Sequence, residues 1–168
     1  PATATSRTIT GLDGGLLWRF RVVAGVTTPT LSSASAPSAT VQVLTPPNPP
    51  TLLAPMSTQS TRSRITFKFR HNAVDGSTQT AGELRYRIDA GAWFTLTVTT
   101  AGQITTAAPL PAGDVEWQVR TRGAHATYSA WSAVSSLVVA APPTVAIISP
   151  ADGAVLTSNR LTLQVGYD

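Results

Sequence analysis

The stretch Leu110-Pro-Ala-Gly-Asp-Val-Glu-Trp117-Gln-Val-Arg120 carries the pattern that decides the fold. Apolar Val115, Trp117 and Val119 alternate with polar residues, and a period of two indicates a β-strand with one buried face. The proline and glycine before this strand predict a turn that leads into it. We therefore expect Trp117 to lie in the core of a β-structure.

The same pattern occurs earlier in the chain, in Leu12-Asp-Gly-Gly-Leu-Leu-Trp18-Arg-Phe-Arg21, where Trp18 stands 99 positions before Trp117. Two further pairs of segments keep this order. Residues 33–43 resemble residues 129–139, and residues 64–69 resemble residues 160–165, each at an offset of 96 positions. Self-similarity at a fixed spacing indicates repeated modules of about a hundred residues. The repeat also predicts that Trp18 is a core residue, as Trp117 is.

Proline-rich joints set the boundaries of the modules. Pro46-Pro-Asn-Pro-Pro50 and Ala141-Pro-Pro143 each separate two apolar runs, and such segments act as short, fairly stiff spacers. We expect one complete module over residues 46–141, the last strands of a preceding module over 1–45 and the first strands of a following one over 142–168. The missing strands would come from a longer chain or from another chain. The first origin is favoured because unpaired strand edges promote aggregation.

The composition is typical of an all-β protein. Hydrophobic residues make up 42% of the chain and charged residues 12%, while 13 prolines and 12 glycines mostly separate the apolar runs. Alternation predicts strands near residues 51–54, 64–70, 84–88, 93–98, 103–107, 115–120 and 131–139, with Ile65, Phe67 and Phe69 facing inward and a tight hairpin at Asp89-Ala-Gly-Ala92. Seven short strands in about a hundred residues predict a two-sheet sandwich.

Several kinds of binding site are not supported by the sequence. There is no cysteine, so we expect neither disulfides nor thiolate metal sites, and no apolar run reaches the length of a membrane span. The net charge of +4 is spread along the strands and does not form the basic cluster of a nucleic-acid binder. His71 and Asp75 share a loop, but turn geometry explains Asp75-Gly76, and calcium would require more carboxylates. We expect no metal and no cofactor.

Catalytic motifs are also missing from the sequence. His71 and His125 are the two histidines that could serve as a base beside a nucleophile. Glu83 and Glu116 fall on expected outward strand positions, and the chain lacks a Gly-x-Ser-x-Gly elbow, a phosphate loop and a His-Glu-x-x-His motif. We therefore expect no enzymatic activity.

The later strands of the complete module resemble those of fibronectin type III domains. The likeness is carried by Leu110-Pro-Ala-Gly113, Trp117-Gln-Val-Arg120 and Tyr128-Ser-Ala-Trp-Ser132, with tryptophan in the place usually held by tyrosine. The last segment is also similar to the Trp-Ser-x-Trp-Ser box of cytokine receptors, whose cysteine pairs are absent here. The resemblance implies tandem fibronectin type III-like, immunoglobulin-like sandwiches of about seven strands each.

A finer resemblance is to the fibronectin-like modules in minor tail and tail-tip proteins of long-tailed bacteriophages. It covers most of residues 60–139, through residues 71–79, residues 83–87, Trp93 and the motifs quoted above, and it returns in residues 150–168, where Ser149-Pro-Ala-Asp-Gly153 opens a module. It implies a non-catalytic structural or adhesive element of a tail tip or tail fibre in the virion. Its expected partners are neighbouring tail proteins and other copies of itself, in a trimer. Related modules occur in secreted bacterial enzymes and adhesins, so an accessory module of such an enzyme is an alternative.

Two roles are open for a set of arginines and aromatic residues. Guanidinium groups on alternating outward positions can stack on aromatic faces, each contact contributing roughly 0.5 to 2 kcal/mol. In the first role, which the cytokine-receptor resemblance also implies, a structural cation–π ladder is formed by Arg85, Arg87, Arg120, Arg122, Tyr128 and Trp131. In the second role, Trp93, Tyr128 and Trp131 form a platform for the sugar rings of a host-surface glycan.

Overall fold

The computed structural model describes residues 6–23, 33–99, 101–155 and 157–167. The regular structure in these ranges consists of β-strands, which confirms the all-β prediction. No helix long and apolar enough to cross a membrane occurs in the described ranges. The strands are β1 Leu17–Trp18, β2 Val41–Gln42, β3 Asn48–Ala54, β4 Gln59–Ser60, β5 Thr66–Asn72, β6 Ala81–Ile88, β7 Phe94–Val98, β8 Gln103–Thr105, β9 Gly113–Arg122, β10 Ser135–Ala140, β11 Val145–Ser149 and β12 Gln164–Tyr167.

Two facing sheets are built from β3 to β10. One sheet has the order β3-β5-β8 and the other the order β4-β10-β9-β6-β7. Neighbouring strands are antiparallel except for β4 and β10, which pair in parallel over two residues. This division of the strands is that of an immunoglobulin-like sandwich. The sandwich predicted from the sequence is therefore confirmed.

The core lies between the inward faces of β5, β6 and β9. Ile65, Phe67 and Phe69 are at most 2% exposed, as predicted, and Trp117 is fully buried. The ring centroids of Phe67 and Trp117 are 4.9 Å apart, so this aromatic pair joins the two sheets. Burying one large apolar side chain stabilises the fold by about 1.5 to 3 kcal/mol. The other buried apolar residues are Leu84, Val98, Leu110, Val115, Val119, Leu137 and Val139.

Trp18 is not a core residue in the described part of the chain. It lies half-exposed in the two-stranded sheet of β1 and β2. The prediction that Trp18 matches Trp117 in burial is wrong here, because the described residues supply no second sheet to cover it. Residues 1–5 and 24–32 of the expected first unit, and residues 100, 156 and 168, lie outside the described ranges.

A pair of serines three positions apart attaches a chain segment to its neighbour at two places in the protein. Each serine N–H donates to the carbonyl of a residue on the neighbouring segment, and the serine Oγ accepts the N–H of that same residue. The distances are 2.8 to 3.2 Å, and the pairs are Ser35 with Val22, Ser38 with Phe20, Ser129 with Thr121 and Ser132 with Val119. Ser35 is therefore the structural counterpart of Ser129.

This correspondence corrects one of the three offsets read from the sequence. Ser35 and Ser129 differ by 94 positions, whereas the sequence comparison paired residue 33 with residue 129. Strand pairing gives the same value, since Trp18 pairs with Val41 and Trp117 with Ser135. The offset falls from 99 at the two tryptophans to 94 here because the connection from Trp18 to Val41 is five residues longer than the one from Trp117 to Ser135.

The offset of 96 for residues 160–165 is confirmed by the register of two strand pairs. In the sandwich, Leu52 pairs with Phe69, and a β-bulge follows before Ala54 pairs with Lys68. Between β11 and β12, Ile147 pairs with Val165, and a bulge follows before Ser149 pairs with Gln164. The same irregularity at the same place makes β11 and β12 the counterparts of β3 and β5.

The predicted hairpin between β6 and β7 is present. Its turn contains two non-glycine residues in the left-handed region, which residues with a Cβ seldom adopt. Asp89 and Ala90 have φ values of 49° and 57°, and the Gly91 N–H donates to the Ile88 carbonyl at 2.9 Å. The left-handed region costs a residue with a Cβ roughly 1 to 2 kcal/mol, although aspartate is more tolerant of it. Ala90 therefore carries backbone strain.

We expect Ala90→Gly to raise the free energy of unfolding by about 0.5 to 1 kcal/mol, because relief of strain exceeds the entropy that glycine adds to the unfolded chain. Urea titration of both proteins measures the change. Ala92→Gly is the matched control, since Ala92 is exposed and lies outside the left-handed region; it should lower stability. Equal losses in the two variants would contradict the assignment of strain to Ala90.

Candidate functional site

The outward face of β6 and β9 gathers most of the charged side chains of the sandwich. In the paired register, Glu83 lies opposite Arg120, Arg85 opposite Gln118 and Arg87 opposite Glu116. Their neighbours along each strand, such as Leu84 and Val119, are fully buried. Strand alternation alone therefore places these charges side by side on the solvent face.

Four guanidinium groups and three aromatic rings alternate across this face, and together they are termed the arginine–aromatic ladder. The distances from guanidinium carbon to ring centroid are 4.4 to 5.4 Å, within the range of a cation–π contact. Residues two apart on one strand are separated by about 7 Å, which leaves room for one ring between two arginines. The order is Arg87, Trp93, Arg85, Trp131, Arg120, Tyr128 and Arg122.

The two serines of the segment Tyr128-Ser-Ala-Trp-Ser132 hold its aromatic residues over the ladder. Ser129 and Ser132 are at most 5% exposed and bond to β9, while Tyr128 and Trp131 lie over the arginines of the outward face. In the stretch before β2 the counterparts of these two aromatic residues, 94 positions earlier, are Ala34 and Pro37. The serine attachment thus occurs at residues 35–38 and at residues 129–132, and the aromatic residues accompany it at 129–132.

Hydrogen bonds hold the edges of three guanidinium groups while the rings cover their faces. Arg120 donates to one carboxylate oxygen of Glu83 at 2.6 and 2.7 Å, and Arg87 donates to Glu116 at 2.5 Å. Arg85 donates twice to the Gln118 side-chain oxygen, at 3.0 and 2.6 Å. Both ion pairs are about one-third exposed, so each adds little stability alone. Their main effect is to fix the position of each guanidinium plane.

The structure brings together all six residues that the sequence suggested for the ladder, and it adds Trp93. Sequence reasoning assigned Trp93 only to sugar binding, because its contact with Arg85 and Arg87 depends on how the hairpin turns back. Trp93, Tyr128 and Trp131 are half-buried, and each ring has two guanidinium groups stacked on it. A sugar platform needs a free ring face, so this geometry favours the structural role.

His71 lies on β5, away from the ladder, and its imidazole faces the interior. Its Nδ1 is 2.8 Å from the Thr121 hydroxyl, and its Nε2 is a buried atom with no hydrogen-bond partner. Burial lowers the pKa of His71, against the opposing effects of Ser77 and Asp75. Thr121 is fully buried, so the hydroxyl that contacts His71 is not exposed to solvent. Within the described ranges, no group of three or more His, Cys, Asp or Glu residues could hold a metal ion.

We expect Trp131→Ala to lower the unfolding free energy by at least about 1 kcal/mol, because it removes two cation–π contacts at once. A double-mutant cycle with Arg85→Met isolates one of them and should give a coupling of about 0.5 to 2 kcal/mol. Urea titrations of the four proteins measure it. Met56→Ala is the control for loss of an exposed side chain. Additive effects of Trp131→Ala and Arg85→Met would contradict the structural ladder.

No family model matches the chain, and no curated protein sequence matches it. Among solved structures, the FN1-FN3 domains of chicken CNTN1 match with a TM-score of 0.49 at 16% identity, over 81% of this chain and 50% of that chain. Domains d3-d4 of the rat CD45 extracellular region match with a TM-score of 0.49 at 10% identity, over 82% and 71%. The chain spans half the length of the CNTN1 structure. The strand order of the two sheets makes the fold a fibronectin type III-like β-sandwich.

Proposed function

We propose that the chain is a non-catalytic spacer and assembly element made of consecutive fibronectin type III-like units, and that it belongs to the tail tip or tail fibre of a long-tailed bacteriophage. The observation that carries the spacer role is the recurrence of local geometry. The serine attachment of β10 recurs before β2, and the bulge of β3 and β5 recurs in β11 and β12. Recurring units of one fold are the building plan of an extended array.

The connections between the units support a stiff array. Five residues separate β2 from β3, and four separate β10 from β11, and both connections contain prolines. Short proline-containing segments limit the relative motion of the parts they join. We accordingly propose the division of the chain into units at residues 1–45, 46–141 and 142–168.

The last unit exposes a face that its counterpart buries. Leu163 and Val165 are 56% and 58% exposed, whereas Phe67 and Phe69, 96 positions earlier, are 0% and 2% exposed. In the sandwich this face is covered by β6, β9 and β10. We propose that further strands complete the last unit in the same way, in a longer chain or from an adjoining protein of the assembly.

The phage setting is supported by the resemblance of most of residues 60–139 and of residues 150–168 to tail-tip modules. In this setting the chain lies in the virion tail and contacts neighbouring tail proteins and other copies of itself as a trimer. The ladder then stabilises a module that contains no cysteine and therefore no disulfide.

Immunogold labelling of virions with an antibody raised against residues 46–141 tests this assignment. We expect label at the tail tip or along a fibre, and genes for the tail tube and tape-measure protein beside the reading frame. Antibody against an unrelated fibronectin type III domain serves as the control. A catalytic domain in the same reading frame, with no label on virions, would support the accessory-module alternative. Glycan-array binding that Trp93→Ala abolishes without loss of stability would support an adhesive role.

A further inference from the structure

The loop of residues 74–77, between β5 and β6, contacts the unit that precedes the sandwich. The Gln42 side-chain amide donates to the Asp75 carbonyl at 2.9 Å. The Thr45 N–H donates to the Asp75 carboxylate at 3.3 Å. These bonds join residues more than 29 positions apart in sequence, one on each side of the proline-rich joint.

The turn before β1 fits closely against this loop because it carries glycines. Gly15 has a φ of +79°, and a Cβ at this position would lie 2.8 Å from the Val74 carbonyl oxygen. A side chain at Gly14 would clash with Thr45. Gly15 therefore permits the approach of the preceding unit to the loop, by its left-handed backbone conformation and by its lack of a side chain, whereas Gly14 makes room for Thr45 within the preceding unit.

The Asp75 carboxylate is satisfied from both sides of the joint. Asp75 is 7% exposed, and its second oxygen accepts the Ser77 N–H at 3.0 Å. Hydrogen bonds from Ser77, and then from Thr45, hold the pKa of Asp75 below its usual value, so the group stays ionised at neutral pH. A buried carboxylate that loses a donor is destabilised. The docked arrangement is therefore the one in which both oxygens of the Asp75 carboxylate accept a hydrogen bond.

We infer that the 74–77 loop is a docking surface for the end of the preceding unit, and that Asp75 clamps the two together at a fixed angle. The partner it accepts is a glycine turn beside a strand that offers a backbone N–H and a side-chain amide. This goes beyond the proposed function, since the clamp would operate in any protein that contains these units.

The clamp is specific to the first joint. At the places of Gly15 and Gln42 in the repeat, the complete module has Asp114 and Ser136, according to the strand pairing. A side chain at the first position blocks the close approach, and serine is too short to replace the glutamine amide. The residues at the end of each unit therefore determine whether that unit can dock on the loop of the next one.

Distance measurement between two spin labels tests the clamp in the 168-residue chain. The chain has no cysteine, so Ala39→Cys and Thr97→Cys provide two exposed labelling sites without further changes. We expect a narrow distance distribution in the parent protein and one at least twice as broad in Gly15→Ala. Gly11→Ala is the matched control, because Gly11 has a φ of +75° but nothing within 4 Å of its Cβ position. It introduces the same backbone strain without blocking the docking.

Gln42→Ala separates docking from folding of the first unit, because its side-chain amide bonds to Asp75 across the joint. It should broaden the distribution at least 1.5-fold and leave the circular dichroism spectrum unchanged. Equal widths in the parent, Gly15→Ala and Gln42→Ala proteins would overturn the inference. So would an equally broad distribution in Gly11→Ala, since that would assign the effect to backbone strain alone.

Discussion

The period-two alternation of β9 is the constraint on which the rest of the structure depends. Its inward residues Val115, Trp117 and Val119 are fully buried and close the core against Phe67. Its outward residues supply Arg120 and Arg122 of the arginine–aromatic ladder and one partner of each of the two ion pairs, Glu116 and Arg120. A shift of one residue in register would exchange the two faces, so the core and the ladder specify the same register. That agreement lets a module without disulfides hold a single structure.

The ladder also explains how the few charged residues of this chain contribute to the stability of the fold. Isolated surface ion pairs contribute little, but here Arg87 and Arg120 are stacked as well as paired. Stacking covers the aromatic faces and fixes the guanidinium planes, so each contact supports the next. The surface of the five-stranded sheet is thereby an ordered layer. This ordered layer suits a module whose proposed role is to keep its shape within an array.

Sequence reasoning succeeded where the information was local. Alternation identified Ile65, Phe67, Phe69 and Trp117 as core residues. It also placed the four ladder arginines on outward positions, while the cytokine-receptor resemblance pointed to Tyr128 and Trp131. It failed where a contact depended on the length of a connection. Trp93 reaches the ladder through a hairpin, and the connection after Trp18 is five residues longer than the one after Trp117, so the offset predicted for the serine segment was wrong by two positions. Asp75 was predicted to be a turn residue, and its hydrogen bond from the Ser77 N–H supports that. Its hydrogen bond from Thr45 joins residues 30 positions apart, so no local sequence pattern could predict it.

Residues 129–132, which Ser129 and Ser132 attach to β9, form one cooperative structure with that strand. This structure connects the hydrophobic core to the arginine–aromatic ladder. Native-state hydrogen exchange of the Val119 and Thr121 amides tests it most directly, because these N–H groups bond to the Oγ atoms of Ser132 and Ser129. The account predicts that both amides exchange only through global unfolding, with the same opening free energy as the amides of the core strands. Exchange of both through a local opening of much lower free energy, while the core amides stay protected, would contradict it.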